Sequence, residues 1–113
     1  MTTVLVADDQ EIVRTGLELL LAARGLQVVA TAGDGRAAVD LTLRHRPEVV
    51  LMDLRMPVLD GIAATRELVS SGAPSRVLVL TTYDVDRYVY DALSAGAAGF
   101  LLKATPQIGR AHV

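Results

Sequence analysis

The stretch Val49–Pro57, VVLMDLRMP, decides the fold. Four apolar residues, Val49 to Met52, run unbroken into Asp53, and Pro57 closes the segment. A short continuous apolar run rich in β-branched residues reads as a strand buried on both faces, at the middle of a parallel sheet. Asp53 then stands at the carboxyl end of that strand. Open α/β sheets place their ligand sites outside those ends. A carboxylate held there is a candidate nucleophile or metal ligand; the plainer alternative is that Asp53 only begins a loop.

Outward from this stretch, the same pattern recurs. Thr3–Ala7 (TVLVA) is an apolar run that ends in Asp8 and Asp9. Val13, Leu17, Leu20 and Leu21 follow at helical spacing, and Gly25 stands where a helix C-cap would. Gln27–Ala32 reads as a second strand, with Asp34 set to cap a helix that carries Ala38, Val39 and Leu41 and stops before Pro47. Asp60-Gly61 opens a third helix, with Asp60 the expected N-cap, ending near Gly72 and Pro74. Val77–Leu80 (VLVL) is a buried strand ending in Thr81, and Asp84 is placed to cap a fourth helix that finishes at Ala95-Gly96. Gly99–Leu102 is a fifth strand, ending in Lys103. Strict alternation of strands and helices means βαβ units, a parallel sheet and right-handed crossovers. The second strand alone ends without a charged or reactive group, as an edge strand away from a site would.

Bulk properties narrow the function. The 113 residues suffice for one domain with one core. At 51% hydrophobic the chain is too apolar to be disordered, yet no apolar run approaches the ~18 residues of a membrane span. The absence of Cys removes disulfides and thiolate zinc sites and, with no basic-then-apolar leader, suggests the cytoplasm. A net charge of -2 and 4% aromatic residues offer neither a basic face nor stacking platforms for nucleic acid.

The strand ends bring Asp8, Asp9 and Asp53 to one edge. Two like charges ~4 Å apart repel by roughly 4 kcal/mol at an effective dielectric of about 20. A divalent cation removes that repulsion, and all-oxygen ligands without His or Cys favour Mg²⁺. Lys103 adds a further positive charge and Thr81 a hydroxyl. A cation, a lysine and a hydroxyl around one carboxylate suit phosphoryl transfer onto Asp53.

The pieces LVADDQ, VVLMDLRMPVLDG, VLVLTTYD and AGAAGFLLK together resemble a response-regulator receiver domain of bacterial two-component systems, over nearly the whole chain. LTTYD and GFLLK look most like the subfamily usually joined to a LuxR-type helix-turn-helix. The resemblance implies a flavodoxin-like, doubly wound five-stranded parallel sheet with strand order 2-1-3-4-5 over residues 1–104. It implies that Asp53 accepts a phosphoryl group from a sensor histidine kinase. Asp9 would bind Mg²⁺ directly and Asp8 through water, with the backbone carbonyl of Arg55 as a further ligand. Thr81 and Lys103 would hold the phosphoryl oxygens, and Phe100 stands at the position of the family's switch aromatic. Thr81 would move toward the new phosphoryl and Phe100 into the space it leaves. The intact protein would dimerise through its fourth helix and fifth strand, and DNA would be reached only through an output domain outside these residues.

Each residue has a plainer role beside this one. Asp8 could cap the first helix, Thr81 could be an ordinary strand residue, Lys103 a solvated strand end and Phe100 part of the core. Met52 and Met56 read as packing, and His45 and His112 as exposed. Ala104 stands where the family usually has a proline, often with a cis bond that would cost a non-proline residue about 2.5–4 kcal/mol. Residues 105–113 are expected to be the truncated start of a fifth helix, N-capped by Thr105 with Pro106 in its first turn. Its last six residues, IGRAHV, can be translated from a common sequencing-adapter stretch and are expected to be non-native. Two other functions fit these residues less well. A haloacid-dehalogenase-like phosphatase needs a second acid two residues after its nucleophile, where this chain has Arg55. A non-phosphorylated scaffold would have lost the chemistry, although the acids and the lysine are all present.

Overall fold

The computed structural model describes residues 1–81 and 86–102. Nine elements alternate: β1 (Thr3–Ala7), α1 (Glu11–Ala23), β2 (Gln27–Ala32), α2 (Gly35–His45), β3 (Val49–Asp53), α3 (Gly61–Ser70), β4 (Arg76–Thr81), α4 (Asp86–Ser94) and β5 (Gly99–Leu102). All strand pairs are parallel and the sheet order is β2-β1-β3-β4-β5. The doubly wound sheet expected above is therefore the one present, with β3 central and β2 at an edge. The expected helix start at Asp84 and everything from Lys103 onward, including the fifth helix, His112 and the tail, lie outside the described residues.

Side-chain alternation along the strands builds two cores. Leu5, Ala7, Val50, Met52, Val77 and Val79 face one layer and pack with Ala38 and Val39 of α2, Ala64 and Leu68 of α3 and Ala92 of α4. Val4, Val6, Leu51 and Leu80 face the other, where Leu17 and Leu21 of α1 pack on them. The unbroken apolar run of β3 has this cause: Val50 and Met52 serve one core and Leu51 the other. Fully burying such a side chain contributes about 1.5–3 kcal/mol. α1 itself has no buried residue, and Leu20, counted in its apolar stripe from spacing, is half exposed because the stripe that meets the sheet is Leu17 and Leu21.

The helix starts obey short-range rules. Asp34 accepts a hydrogen bond from Ala37 N at 2.8 Å, and Asp60 one from Ala63 N at 2.8 Å. Each cap is worth ~1 kcal/mol. The first helix differs, since its N-cap is Gln10, which makes no side-chain cap bond. Asp8 therefore does not cap α1. At the other end of that helix Arg24 is the C-cap, and Gly25 follows with φ +82°, a conformation that costs glycine little.

Two close approaches fix the layer beside the central strand. A Cβ at Gly35 would overlap the Leu59 carbonyl oxygen, and a Cβ at Gly61 the Asp53 carbonyl oxygen. The first turns of α2 and α3 thus press directly on the chain that leaves β3. On the surface, Arg36 of α2 donates to both carboxylate oxygens of Glu67 on α3, at 3.1 and 3.0 Å. That hydrogen bond, together with the charges of Glu67 and Asp40, holds the Arg36 pKa above its ordinary value.

Candidate functional site

β1 and β3 are neighbours, with Ala7 opposite Met52. The next residue on each strand is therefore an acid, Asp8 after β1 and Asp53 at the end of β3. Asp9 follows Asp8. One carboxylate oxygen from each of Asp8, Asp9 and Asp53 lies within 4.8 Å of the others, the only such group of three or more His, Cys, Asp or Glu residues among those described. Asp8 is fully buried, Asp53 is 7% exposed, and Asp9 opens to solvent.

The turn that carries Asp8 is held at several points. Asp8 N donates to Ala32 O at 3.0 Å, extending the β1–β2 ladder by one residue. Asp8 Oδ1 accepts from Gln10 N at 2.9 Å, and the Asp8 carbonyl accepts from Arg14 Nη1 at 2.6 Å. The carboxylates are thus delivered by backbone anchored on both sides.

On the other flank, Thr81 ends β4 and is 4% exposed. Its preceding residue Leu80 lies opposite Asp53, so the hydroxyl-bearing residue stands one step beyond the acid on the adjoining strand. Leu102 is the register partner of Thr81 on β5, and Lys103, next in the chain, lies outside the described residues. Phe100 pairs with Val79 and is 46% exposed, which removes the expectation that it is an ordinary core residue.

Beyond Asp53 the chain lines a groove of about 550 Å³ with Leu54, Arg55, Met56 and Pro57, closed by Asp9, Asp60 and Ile62. Met52 and Met56 are buried packing residues, as read from the sequence, and His45 is exposed. Leu59 N donates to Pro57 O at 2.7 Å, a three-residue turn centred on Val58, whose φ is +70°. Neither this turn nor the Arg14 contact was legible in advance. A β-branched residue carries no local signal for positive φ, and Arg14, between Val13 and Leu17 of the helical pattern, carries no local signal for a contact with Asp8.

The donor set fits a hard divalent cation. Direct Mg²⁺ ligands sit ~2.0–2.1 Å from the ion, so two of them are at most about 4.2 Å apart. Three carboxylate oxygens within 4.8 Å match that scale, with room for one to act through water. Without a cation the same three charges repel.

The sequence matches the family described as "Response regulator receiver domain" over residues 4–109. The chain belongs to that family. Among curated proteins the receiver domain is 43% identical over 104 residues to the transcriptional regulatory protein LnrK of Bacillus subtilis, covering 91% of this chain and 47% of LnrK. It therefore spans about half the length of such relatives. Among solved structures it superposes on the signal receiver domain of the response regulator NarL from Mycobacterium tuberculosis with a TM-score of 0.88 and 41% identity, covering 95% of this chain and 87% of that one. A chain of the CheX–CheY–BeF3–Mg²⁺ complex of Borrelia burgdorferi gives a TM-score of 0.85 at 26% identity, covering 98% and 84%. The receiver domain is thus a two-component response-regulator module, a family whose members typically are phosphorylated and use Mg²⁺. Among its described residues no helix is long and apolar enough to cross a membrane.

Proposed function

We propose that Asp53 is the phosphoryl acceptor of this receiver domain, with a sensor histidine kinase as donor. An Asp53 carboxylate oxygen attacks phosphorus in line; the new O–P bond forms as the P–N bond of the donor phosphohistidine breaks. Mg²⁺ would be held by Asp9, Asp53 and the Arg55 carbonyl directly and by Asp8 through water, and when bound it would offset charge on the phosphoryl oxygens. Thr81 and Lys103 would contact those oxygens, and Thr81 with Phe100 would pass the change to the β4–β5 surface. The likeness to a chain of the CheX–CheY–BeF3–Mg²⁺ complex supports the ion. The carrying observation is the convergence of three carboxylates within 4.8 Å, one of them the nearly buried Asp53 at the end of the central strand.

In this reading the domain is a switch rather than an enzyme with an external substrate. The names of its relatives as transcriptional regulators support a role in controlling transcription. DNA would be bound by an output domain, dimers would form through α4 and β5, and the protein would work in the cytoplasm.

The test is incubation of the 113-residue chain with acetyl phosphate and Mg²⁺, followed by intact mass measurement. The parent gains one phosphoryl group, and Asp53→Ala gains none. Equal labelling of both proteins, or labelling that survives chelation of Mg²⁺, would overturn the assignment.

A further inference from the structure

The acidic cluster has a cationic neighbour that the phosphoryl chemistry does not use. Arg14 projects from the first turn of α1 and is half-buried. Its guanidinium donates to the Asp8 carbonyl at 2.6 Å. The same group rests against the turn after β2, where a Cβ added to Gly33 would lie 3.2 Å from the terminal nitrogen of Arg14. Glu18, one helical turn further along α1, is available for an i,i+4 ion pair, yet among the described residues Arg14 forms no ion pair. Arg14 has turned away from its own helix surface to grip the backbone that carries two of the three acids.

We propose that Arg14 is a positioning residue for the divalent ion: it ties the Asp8-Asp9 turn to α1 and, by packing on Gly33, to the start of α2. This rests on the metal reading of the acidic cluster given above. The physical reason is preorganisation. Asp8 and Asp9 repel each other and Asp53 when no ion is present, and the peptide between them can relieve the repulsion by rotating. A charged donor on the Asp8 carbonyl opposes that rotation, because the carbonyl must leave the guanidinium for the carboxylates to spread. Charge-assisted bonds of this kind are roughly twice as strong as neutral ones, and outer-shell partners of metal ligands typically alter affinity by 10–100-fold. A side chain at position 33 would crowd the guanidinium, which would have to give by a few tenths of an ångström against its acceptor.

The test compares the parent with Arg14→Met, Arg14→Lys, Gly33→Ala and the Arg14→Met/Gly33→Ala pair, reading Mg²⁺ affinity by titration calorimetry and the melting temperature with and without Mg²⁺. Arg14→Met keeps the aliphatic stem and is expected to weaken Mg²⁺ binding about tenfold or more, with a larger loss of melting temperature in Mg²⁺ than without it. Arg14→Lys recovers part of the affinity, and Gly33→Ala weakens binding in the parent but adds nothing in the Arg14→Met background. Unchanged or tighter Mg²⁺ binding in Arg14→Met, or an equal drop in melting temperature in both conditions, overturns the proposal and leaves the metal site standing. Absence of any Mg²⁺ effect on the parent overturns the metal reading itself.

Discussion

Gly61 lies so close beneath Asp53 that a Cβ there would overlap the Asp53 carbonyl oxygen, while Gly61 N donates to Leu54 O at 2.9 Å. The start of α3 and the end of the central strand are thus in backbone contact. A methyl group at this point meets main chain, which cannot rotate aside. Gly61→Ala is expected to destabilise the domain by about 1–3 kcal/mol or more, read from urea unfolding. Because the displaced atoms belong to the proposed acceptor, labelling by acetyl phosphate should fall too. A variant as stable and as reactive as the parent would show that the two segments separate easily.

Asp9 is the exposed member of the acidic cluster, so neutralising it removes repulsion without burying a new group. Asp9→Asn is expected to be at least as stable as the parent in the absence of divalent ions. In Mg²⁺, if the proposed site binds the ion, the order is expected to reverse. The parent gains RT ln(1 + [L]/Kd), about 2.7 kcal/mol at one hundred times Kd, and Asp9→Asn gains much less. Calorimetric melting with Mg²⁺ or with a chelator reads both signs.

Thr42 is buried in α2, and among the described residues its Oγ1 has no hydrogen-bond partner. Leaving a buried hydroxyl unsatisfied costs ~1–3 kcal/mol. Thr42→Val keeps the shape and removes the polar atom. The expected result is a gain of about 1 kcal/mol in unfolding free energy, with labelling of Asp53 unchanged.

Val58 adopts φ +70° although it is β-branched and 80% exposed. That conformation costs an L-residue ~1–2 kcal/mol, and Asn tolerates it better. Val58→Asn therefore relieves strain while losing almost no packing. Denaturation should show stabilisation of about 0.5–1 kcal/mol, and an equal or lower stability would mean that the turn is held in this shape at little cost.

What the sequence disclosed and what it hid divide by range. The end of β3 was legible because Val49–Met52 is unbroken and β-branched, and the caps at Asp34 and Asp60 because each acts over three residues. Thr81 was expected just past its strand and is in fact the last residue of it, a boundary that side-chain pattern alone does not fix. Sheet order came with the family resemblance, since alternating strands and helices fit several orders; the observed β2-β1-β3-β4-β5 agrees with it. The Arg14–Asp8 bond, the tight seats of Gly35 and Gly61 and the Arg36–Glu67 clamp all join segments that no local pattern connects. Of the proposed phosphoryl contacts, Thr81 sits beside the acids at the adjoining strand end, while Lys103 lies outside the described residues.

The pairing of Ala7 with Met52 has a consequence for how the molecule can fail. Side chains in a strand alternate, so a slip of one residue between β1 and β3 would swing the Asp8 carboxylate to the opposite side of the sheet. A mispaired but compact chain could keep its helices and much of its hydrophobic interior and still be unable to capture an ion. Under the proposed function, Mg²⁺ affinity would then distinguish correctly threaded molecules from near-native impostors that far-ultraviolet spectra would count as folded.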